Sequence, residues 1–216
     1  MPSMTEIVYL IGTNTGTGIE PLGTGFLVAS DGRIATAHHV IRNEQSLVMF
    51  LPKTNNLNSY QDTTDRKCKV LPMVIDEIDP IRDIAILKPA VRVQQNAVTL
   101  SLGSFDEVSV DKELHIFGFP HCKHRTVLTM QRAELGAKIL LESNTIKSEH
   151  AVVNFQSRPG QSGSMVYAPC INQIVGMLVG TFAPTTGGFV SMNGINPEEL
   201  NQTTHCISAK YIKNML

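Results

Sequence analysis

The chain of 216 residues carries 18 Lys and Arg against 19 Asp and Glu, a formal net charge of −1. With 42% hydrophobic and 17% charged residues it has the composition of a globular protein and not of a disordered one. The near-neutral charge and the lack of a Lys/Arg run argue against nucleic acid or an anionic membrane as partner, and no apolar run approaches the ~20 residues of a membrane span.

The N-terminal residues Met1 to Glu6 lack a basic region followed by an apolar stretch, so no secretory signal is expected. Cys68, Cys122, Cys170 and Cys206 are scattered and form no C-x-x-C pair. Free thiols in a reducing compartment, the cytoplasm, are the corresponding expectation.

In chain order, Glu6 to Gly12 reads as a strand, and Thr13 to Pro21 as a polar, glycine-rich loop. Gly23 to Ala29 reads as a second strand, ended by the hairpin signal Ser30-Asp31-Gly32. Arg33 to Ala37 returns and runs into His38-His39-Val40-Ile41. Short strands are expected at Ser46–Leu51, Cys68–Leu71, Met73–Ile75 and Ile84–Leu87. Pro89 to Asn96 loses the alternation and reads as a connector between two halves. Beyond it, strands are expected at Val98–Leu102, Glu113–Pro120, Arg125–Gln131, Ala151–Phe155, Met165–Tyr167 and Ile174–Phe182. His205 to Leu216 begins as a strand and ends as a short amphipathic helix. Many short strands with turn signals about ten residues apart indicate an all-β sandwich or barrel, and two barrels meeting near residue 95 would fit.

The chemistry centres on Arg158-Pro159-Gly160-Gln161-Ser162-Gly163-Ser164, a G-x-S-G turn between two apolar runs. A serine between glycines offers an exposed hydroxyl and unobstructed backbone N–H groups, a nucleophile together with donors for an oxyanion. Upstream, Thr36-Ala37-His38-His39-Val40 puts two histidines at a strand end, where period-two alternation would send them to opposite faces. Asp83 heads the apolar strand Ile84–Leu87, where a partly buried carboxylate needs a donor such as an imidazole N–H. Base, orienting carboxylate and nucleophile would thus follow in the order His39, Asp83, Ser162. His121-Cys122-Lys123-His124 has no distant ligand pair and reads as a loop, and the glycines from Gly12 to Gly25 lack the Lys and helix of a phosphate loop. No metal or cofactor is expected.

These segments resemble the trypsin/chymotrypsin-fold serine proteases, and most closely the HtrA (Deg) branch. The resemblance is carried by Gly23 to Val28, Thr36 to Val40, Asp79-Pro80-Ile81-Arg82-Asp83-Ile84-Ala85-Ile86-Leu87-Lys88, Leu102-Gly103-Ser104 and Pro159 to Gly163. Looser support comes from Phe117 to Pro120 and Cys206 to Ala209. It implies two six-stranded antiparallel β-barrels, about 5–90 and 97–216, with a short C-terminal helix, as one protease domain. It also implies His39 as general base (the histidine directly before the aliphatic pair Val40-Ile41), Asp83 as its partner and Ser162 as nucleophile, with the N–H groups of Gly160 and Ser162 as oxyanion hole. A protein or peptide substrate would add as a strand beside Leu178-Val179-Gly180, and the specificity pocket would be lined by Ser157, Arg158, Thr181 and His205.

The departures from the family carry their own expectations. Gln156 stands where an aspartate would select Lys or Arg, so a small apolar residue is expected before the cut, or failing that an acidic or amide one. The cysteines that secreted relatives place beside the histidine and near the serine are replaced by Val40 and Arg158. Activation by N-terminal trimming is not expected, nor is regulation through a PDZ domain in the same chain. Gln161 replaces the aspartate that locks the oxyanion turn in secreted relatives. The Arg158–Gln161 segment would then either switch between inactive and active forms, with a substrate or activating protein partner selecting the latter, or be held by local bonds of Gln161. A silent pseudoprotease and an esterase are the alternative readings.

Overall fold

The computed structural model describes residues 4–42, 44, 46–54, 56–65, 67–91, 99–182 and 203–216. The first apolar run forms β1 (Val8–Asn14), which turns at Thr15–Gly18 into β2 (Ile19–Leu27). The loop expected from Thr13 to Pro21 is therefore mostly strand, because edge pairing with β2 recruits polar Thr13 and Asn14 into the ladder. β3 (Ile34–Ala37), a single helical turn α1 (His38–Ile41), β4 (Leu47–Phe50), β5 (Val70–Asp79) and β6 (Ile84–Pro89) complete the first half. The second half holds β7 (Glu113–Gly118), β8 (Thr129–Ser143), β9 (Ile146–Val153), β10 (Met165–Ala168), β11 (Gln173–Phe182), β12 (Thr203–Ser208) and the helix α2 (Ala209–Lys213).

Each half closes into an antiparallel barrel. The first runs β1-β2-β3-β6-β5-β4, and the second repeats that order as β7-β8-β9-β12-β11-β10. The all-β expectation of two six-stranded barrels with a short C-terminal helix is thus met. Closure leaves no open sheet edge within either barrel. Leu114, Ile116, Val166, Val175, Leu178 and Cys206 fill the second barrel. A larger apolar cluster fills the first and continues across the seam between the two. It includes Phe26, Ile34, Ile84 and Leu87 from the first barrel, Met165 and Met177 from the second, and Ala209 and Ile212 of α2. Removal of this apolar surface from water is what holds the barrels face to face.

Three further sequence expectations differ from the structure. The two strands expected at 68–71 and 73–75 are one, β5, because Pro72 pairs with Val48 without breaking the ladder. A bulge between Ile75 and Glu77 turns its aliphatic residues outward, which blurs the alternation. The strand expected at Arg125–Gln131 begins at Thr129 and runs to Ser143 in a long hairpin with β9, whose turn places Asn144 and Thr145 at φ 51° and 67°. Much of that hairpin is exposed on both faces, so it carries little apolar periodicity. Of the strand expected at Val98–Leu102, Val98 lies outside the described residues, and residues 99–102 form no strand, with only Leu102 in a single parallel bridge, to Ile174. Most of the connector expected at Pro89–Asn96 lies outside the described residues.

Candidate active site at the barrel seam

His38 and His39 are not the end of a strand. They open the turn α1, where successive residues are rotated by about 100°, so the alternation argument does not apply to them. Asp83, immediately before β6, decides between the two. Its Oδ2 lies 2.5 Å from the His39 ring Nδ1, and its Oδ1 accepts the His39 main-chain N–H at 2.8 Å. The His38 main-chain N–H donates to the Asp83 carbonyl at 3.0 Å. One aspartate thus fixes both the ring and the backbone of His39. Asp83 reaches this pose in the left-handed region, φ 59°, a conformation that asparagine and aspartate tolerate better than most side chains. The pair stays open to solvent, with 42% of the His39 side chain and 30% of Asp83 accessible.

Ser162 comes from the second barrel. The Arg158–Gln161 segment is a turn closed by Gln161 N–H on the Arg158 carbonyl, with Gly160 at φ 93°. A Cβ at Gly160 would fall 2.5 Å from the Phe119 carbonyl and 2.8 Å from Cys122 Sγ, so glycine is required on both counts. Gly163 at φ 85° is tighter still, since a Cβ would meet the Thr24 carbonyl at 1.9 Å. The Pro159 carbonyl accepts the His121 N–H at 2.6 Å. Because C=O and N–H point opposite ways across a trans peptide, that bond also fixes the direction of the Gly160 N–H. The N–H groups of Gly160 and Ser162 have no hydrogen-bond acceptor among the described residues.

Two residues that sequence reading passed over do most of the holding. Thr24, fully buried on β2, donates its hydroxyl to the Gly160 carbonyl at 2.9 Å and accepts the Phe119 N–H at 3.1 Å. Its main-chain N–H donates to the Ser162 carbonyl at 2.9 Å, and its carbonyl accepts the Thr36 hydroxyl at 2.7 Å. Gln131 accepts from Gln161 Nε2 at 2.5 Å, while Gln161 Oε1 accepts the Arg158 N–H at 2.7 Å. Gln161 is fully buried and satisfied at both ends of its amide. Nothing short-range in the sequence could reveal these partners, because Thr24 and Gly160 are 136 residues apart.

Gly23 brings the halves together. A Cβ there would meet Val40, the neighbour of His39, at 2.9 Å and the Ser162 carbonyl at 3.1 Å. The Ser162 hydroxyl makes no hydrogen bond to the His39 ring among the described residues. In unliganded sites that bond is often long and tightens when substrate binds.

The expected pocket residues divide. Gly180 has open space where a side chain would be, and Val179 is the extra residue of a bulge in the β11–β12 pairing. Leu178 does not face the cleft: its side chain belongs to the second barrel's core, and its N–H and C=O bind Ser164 and Gly163. Thr181 pairs with Thr204, and His205 with Gly180. His205 is half-buried, which pulls its pKa below the ordinary histidine value, and its Nε2 lies 3.3 Å from the Thr203 hydroxyl. Arg158 is exposed, while Ser157 is partly buried and donates its N–H to Thr204 Oγ1 at 3.2 Å. The Thr204 hydroxyl in turn donates to the Phe155 carbonyl at 2.7 Å, so this threonine pins the wall from 155 to 157. All four cysteines are free thiols, and His121–His124 is a turn closed by the His124 N–H on the His121 carbonyl. A cleft of about 610 Å³ lies elsewhere, lined by residues such as Leu10, Phe50, Phe119, Cys122 and Leu128 and by none of His39, Asp83 or Ser162.

Two barrels packed along a seam, with a His–Asp pair from the first beside a glycine-flanked serine from the second, define the chymotrypsin-like class. The family model of the trypsin-like peptidase domain matches residues 23–177, and the chain belongs to that family. In sequence it is similar to the magnetosome formation protease MamE of Magnetospirillum gryphiswaldense, 26% identical over 182 residues, covering 82% of this chain and 21% of that protein. The chain therefore spans about a fifth of the length of that curated relative. In fold it is similar to the MamO protease domain of Magnetospirillum magneticum (TM-score 0.71, 14% identity, 99% of this chain and 97% of that one). It is similar also to the HtrA-type protease AlgW solved with a decapeptide (TM-score 0.68, 16% identity, 98% of this chain and 63% of that one).

Proposed function

We propose that the chain is a serine endopeptidase in which His39 is the general base, Asp83 its orienting partner and Ser162 the nucleophile. The observation that carries this reading is the double hold of Asp83 on His39. With Nδ1 donating to the carboxylate, Nε2 is left as the acceptor for the serine proton, and the carboxylate then stabilises the imidazolium that forms. Ser162 would attack the scissile carbonyl and give an acyl-enzyme, which water releases with His39 again as base. The N–H groups of Gly160 and Ser162 would bind the oxyanion, a contribution worth about 2.7–4 kcal/mol per donor in such sites.

The bonds of Gln161 to Arg158 and Gln131, together with the His121 clamp on Pro159, favour a turn held in one arrangement over one that switches on partner binding. The substrate is a protein or peptide laid beside Val179–Thr181, with a small apolar residue before the cut. Gln156 at the base of the pocket supplies no charge for Lys or Arg. The four free thiols accord with a reducing compartment such as the cytoplasm.

A fluorophosphonate probe should label the intact chain and not Ser162→Ala, and a peptide library should then be cleaved where simple esters alone would not exhaust the activity. An unlabelled intact chain would make it a binding module, and turnover of esters without peptides would make it an acyl hydrolase. With an activated ester, a full and immediate burst is expected; a lag, or a burst well below one equivalent, would restore the switching turn.

A further inference from the structure

The C-terminal helix α2 carries two side chains that no step above uses. Lys210 forms an ion pair with Glu149 of β9, and the Tyr211 hydroxyl accepts the Glu149 main-chain N–H at 3.0 Å. Tyr211 thereby belongs to the second barrel. The face of its ring carries the guanidinium of Arg82, whose central carbon lies 4.5 Å from the ring centroid. Arg82 belongs to the first barrel and directly precedes Asp83. Its Nη1 is paired with Asp79 Oδ2 at 2.7 Å, and Asp79 Oδ1 accepts the main-chain N–H groups of both Ile81 and Arg82 at 3.1 Å. The 79–82 turn is thus wound around one carboxylate and pressed against one aromatic ring.

This turn delivers the chain into the left-handed pose of Asp83, which its surroundings must enforce. Arg82 Nε is buried with no hydrogen-bond partner, so on that side the guanidinium is held by the ring face and not by a polar group. A cation over an aromatic face is attracted by the ring quadrupole, and here the contact adds to the Asp79 ion pair of a partly buried guanidinium. The contact also spans the seam, joining the segment that ends in Asp83, the partner of His39, to the barrel that presents Ser162.

We propose that Tyr211, acting through Arg82, is a positioning residue that sets Asp83 and hence the His39 ring relative to Ser162. The proposal rests on the serine-protease reading above. Neither side chain is in the catalytic machinery, and their effect is on alignment alone. A misplacement of that pair by a fraction of an ångström leaves substrate binding unchanged and slows the chemical step.

The experiment uses the full chain and three variants: Tyr211→Phe, Tyr211→Ala and Arg82→Gln. Tyr211→Phe keeps the ring and should retain kcat within about two-fold, since it removes a neutral hydrogen bond to Glu149 and not the stack. Tyr211→Ala should lower kcat about ten- to a hundred-fold with KM unchanged. Arg82→Gln, which leaves the helix intact, should do the same, and the double variant should be no worse than either single one because both break one contact.

The second readout is the low-field proton resonance of the His39–Asp83 bond, which does not depend on turnover. It should persist in Tyr211→Phe and be shifted or broadened in the other two. A resonance unchanged in Tyr211→Ala and Arg82→Gln would overturn the proposal whatever the rates do, and so would a fall in thermal stability with kcat unaltered. Loss of the resonance in a chain that hydrolyses nothing would uphold the positioning and remove the protease reading instead.

Discussion

The two halves of the site are built by opposite means. The His39–Asp83 half is half-open to water, with the carboxylate of Asp83 bonded to both the ring and the main chain of His39. The Ser162 half is more deeply buried and is held by main-chain bonds together with the side chains of Thr24, Gln161 and Gln131, with Thr24, Gln161 and Ser164 at zero accessibility. A base must change its protonation state in each cycle and meet substrate, so it gains from solvent access and a single strong partner. An oxyanion site must not reorganise when charge develops, so it gains from a rigid frame of dipoles fixed before substrate arrives. Mutations should therefore injure the first half through chemistry and the second through geometry.

The largest effects should come from removing the reacting groups. Ser162→Ala should abolish hydrolysis without loss of fold, as measured by turnover and circular dichroism. His39→Ala should cost on the order of 10³-fold or more in kcat. His38→Ala should be mild, because its contact to Asp83 is made by the main chain. A reversal of the two histidine effects would exchange their roles.

Next should come Gly163→Ala, whose Cβ would overlap the Thr24 carbonyl while φ stays at 85°. It should destabilise the protein by more than about 2 kcal/mol in denaturant melts and lose activity as the turn is displaced. Thr24→Val keeps the shape but leaves the Gly160 carbonyl and the Phe119 N–H without their bonds. It should lower kcat about ten-fold or more with little change in KM, and Thr24→Ser should restore most of it. Equal losses in Val and Ser variants would mean that Thr24 acts through packing and not through its hydroxyl.

The smallest expected effect is on pH stability. Burial lowers the pKa of His150 and of His205 below the ordinary histidine value of about 6.5. Below that value the unfolded chain binds more protons than the folded one, so stability present above it is lost as pH falls. Thermal midpoints should decline from about pH 7 toward pH 5, and His150→Gln should make the decline shallower. An identical slope in the variant would place the acid sensitivity elsewhere.

The sequence was most legible where structure is local. The G-x-S-G turn, the apolar strand behind Asp83 and the strand-to-helix ending all follow from residues within a few positions of each other. Barrel closure was legible only as a class from strand spacing, since short strands with regular turns fit a sandwich as well as a barrel, and it was the family resemblance that pointed to two six-stranded barrels. The long β8–β9 hairpin escaped because much of it is solvated on both faces, which erases the period-two signal. The pocket was the least legible part. Leu178 sits in the motif that borders the cleft, yet it spends both backbone groups on the Ser162 turn and its side chain on the core.

By itself, then, the sequence determined which residue types could do the proposed chemistry and in which turns they sit, because the serine, the glycines beside it and the carboxylate of Asp83 answer local steric and chemical need. The family resemblance pointed to His39, and the tertiary structure brings it to Asp83; only the tertiary structure decided that Thr24 and Gln131 hold the Arg158–Gln161 turn and that Tyr211 carries Arg82. Each of those choices joins residues brought together by barrel closure and by the packing of one barrel on the other. The energy that selects them is a long-range burial of apolar surface, which leaves no mark at short spacing along the chain.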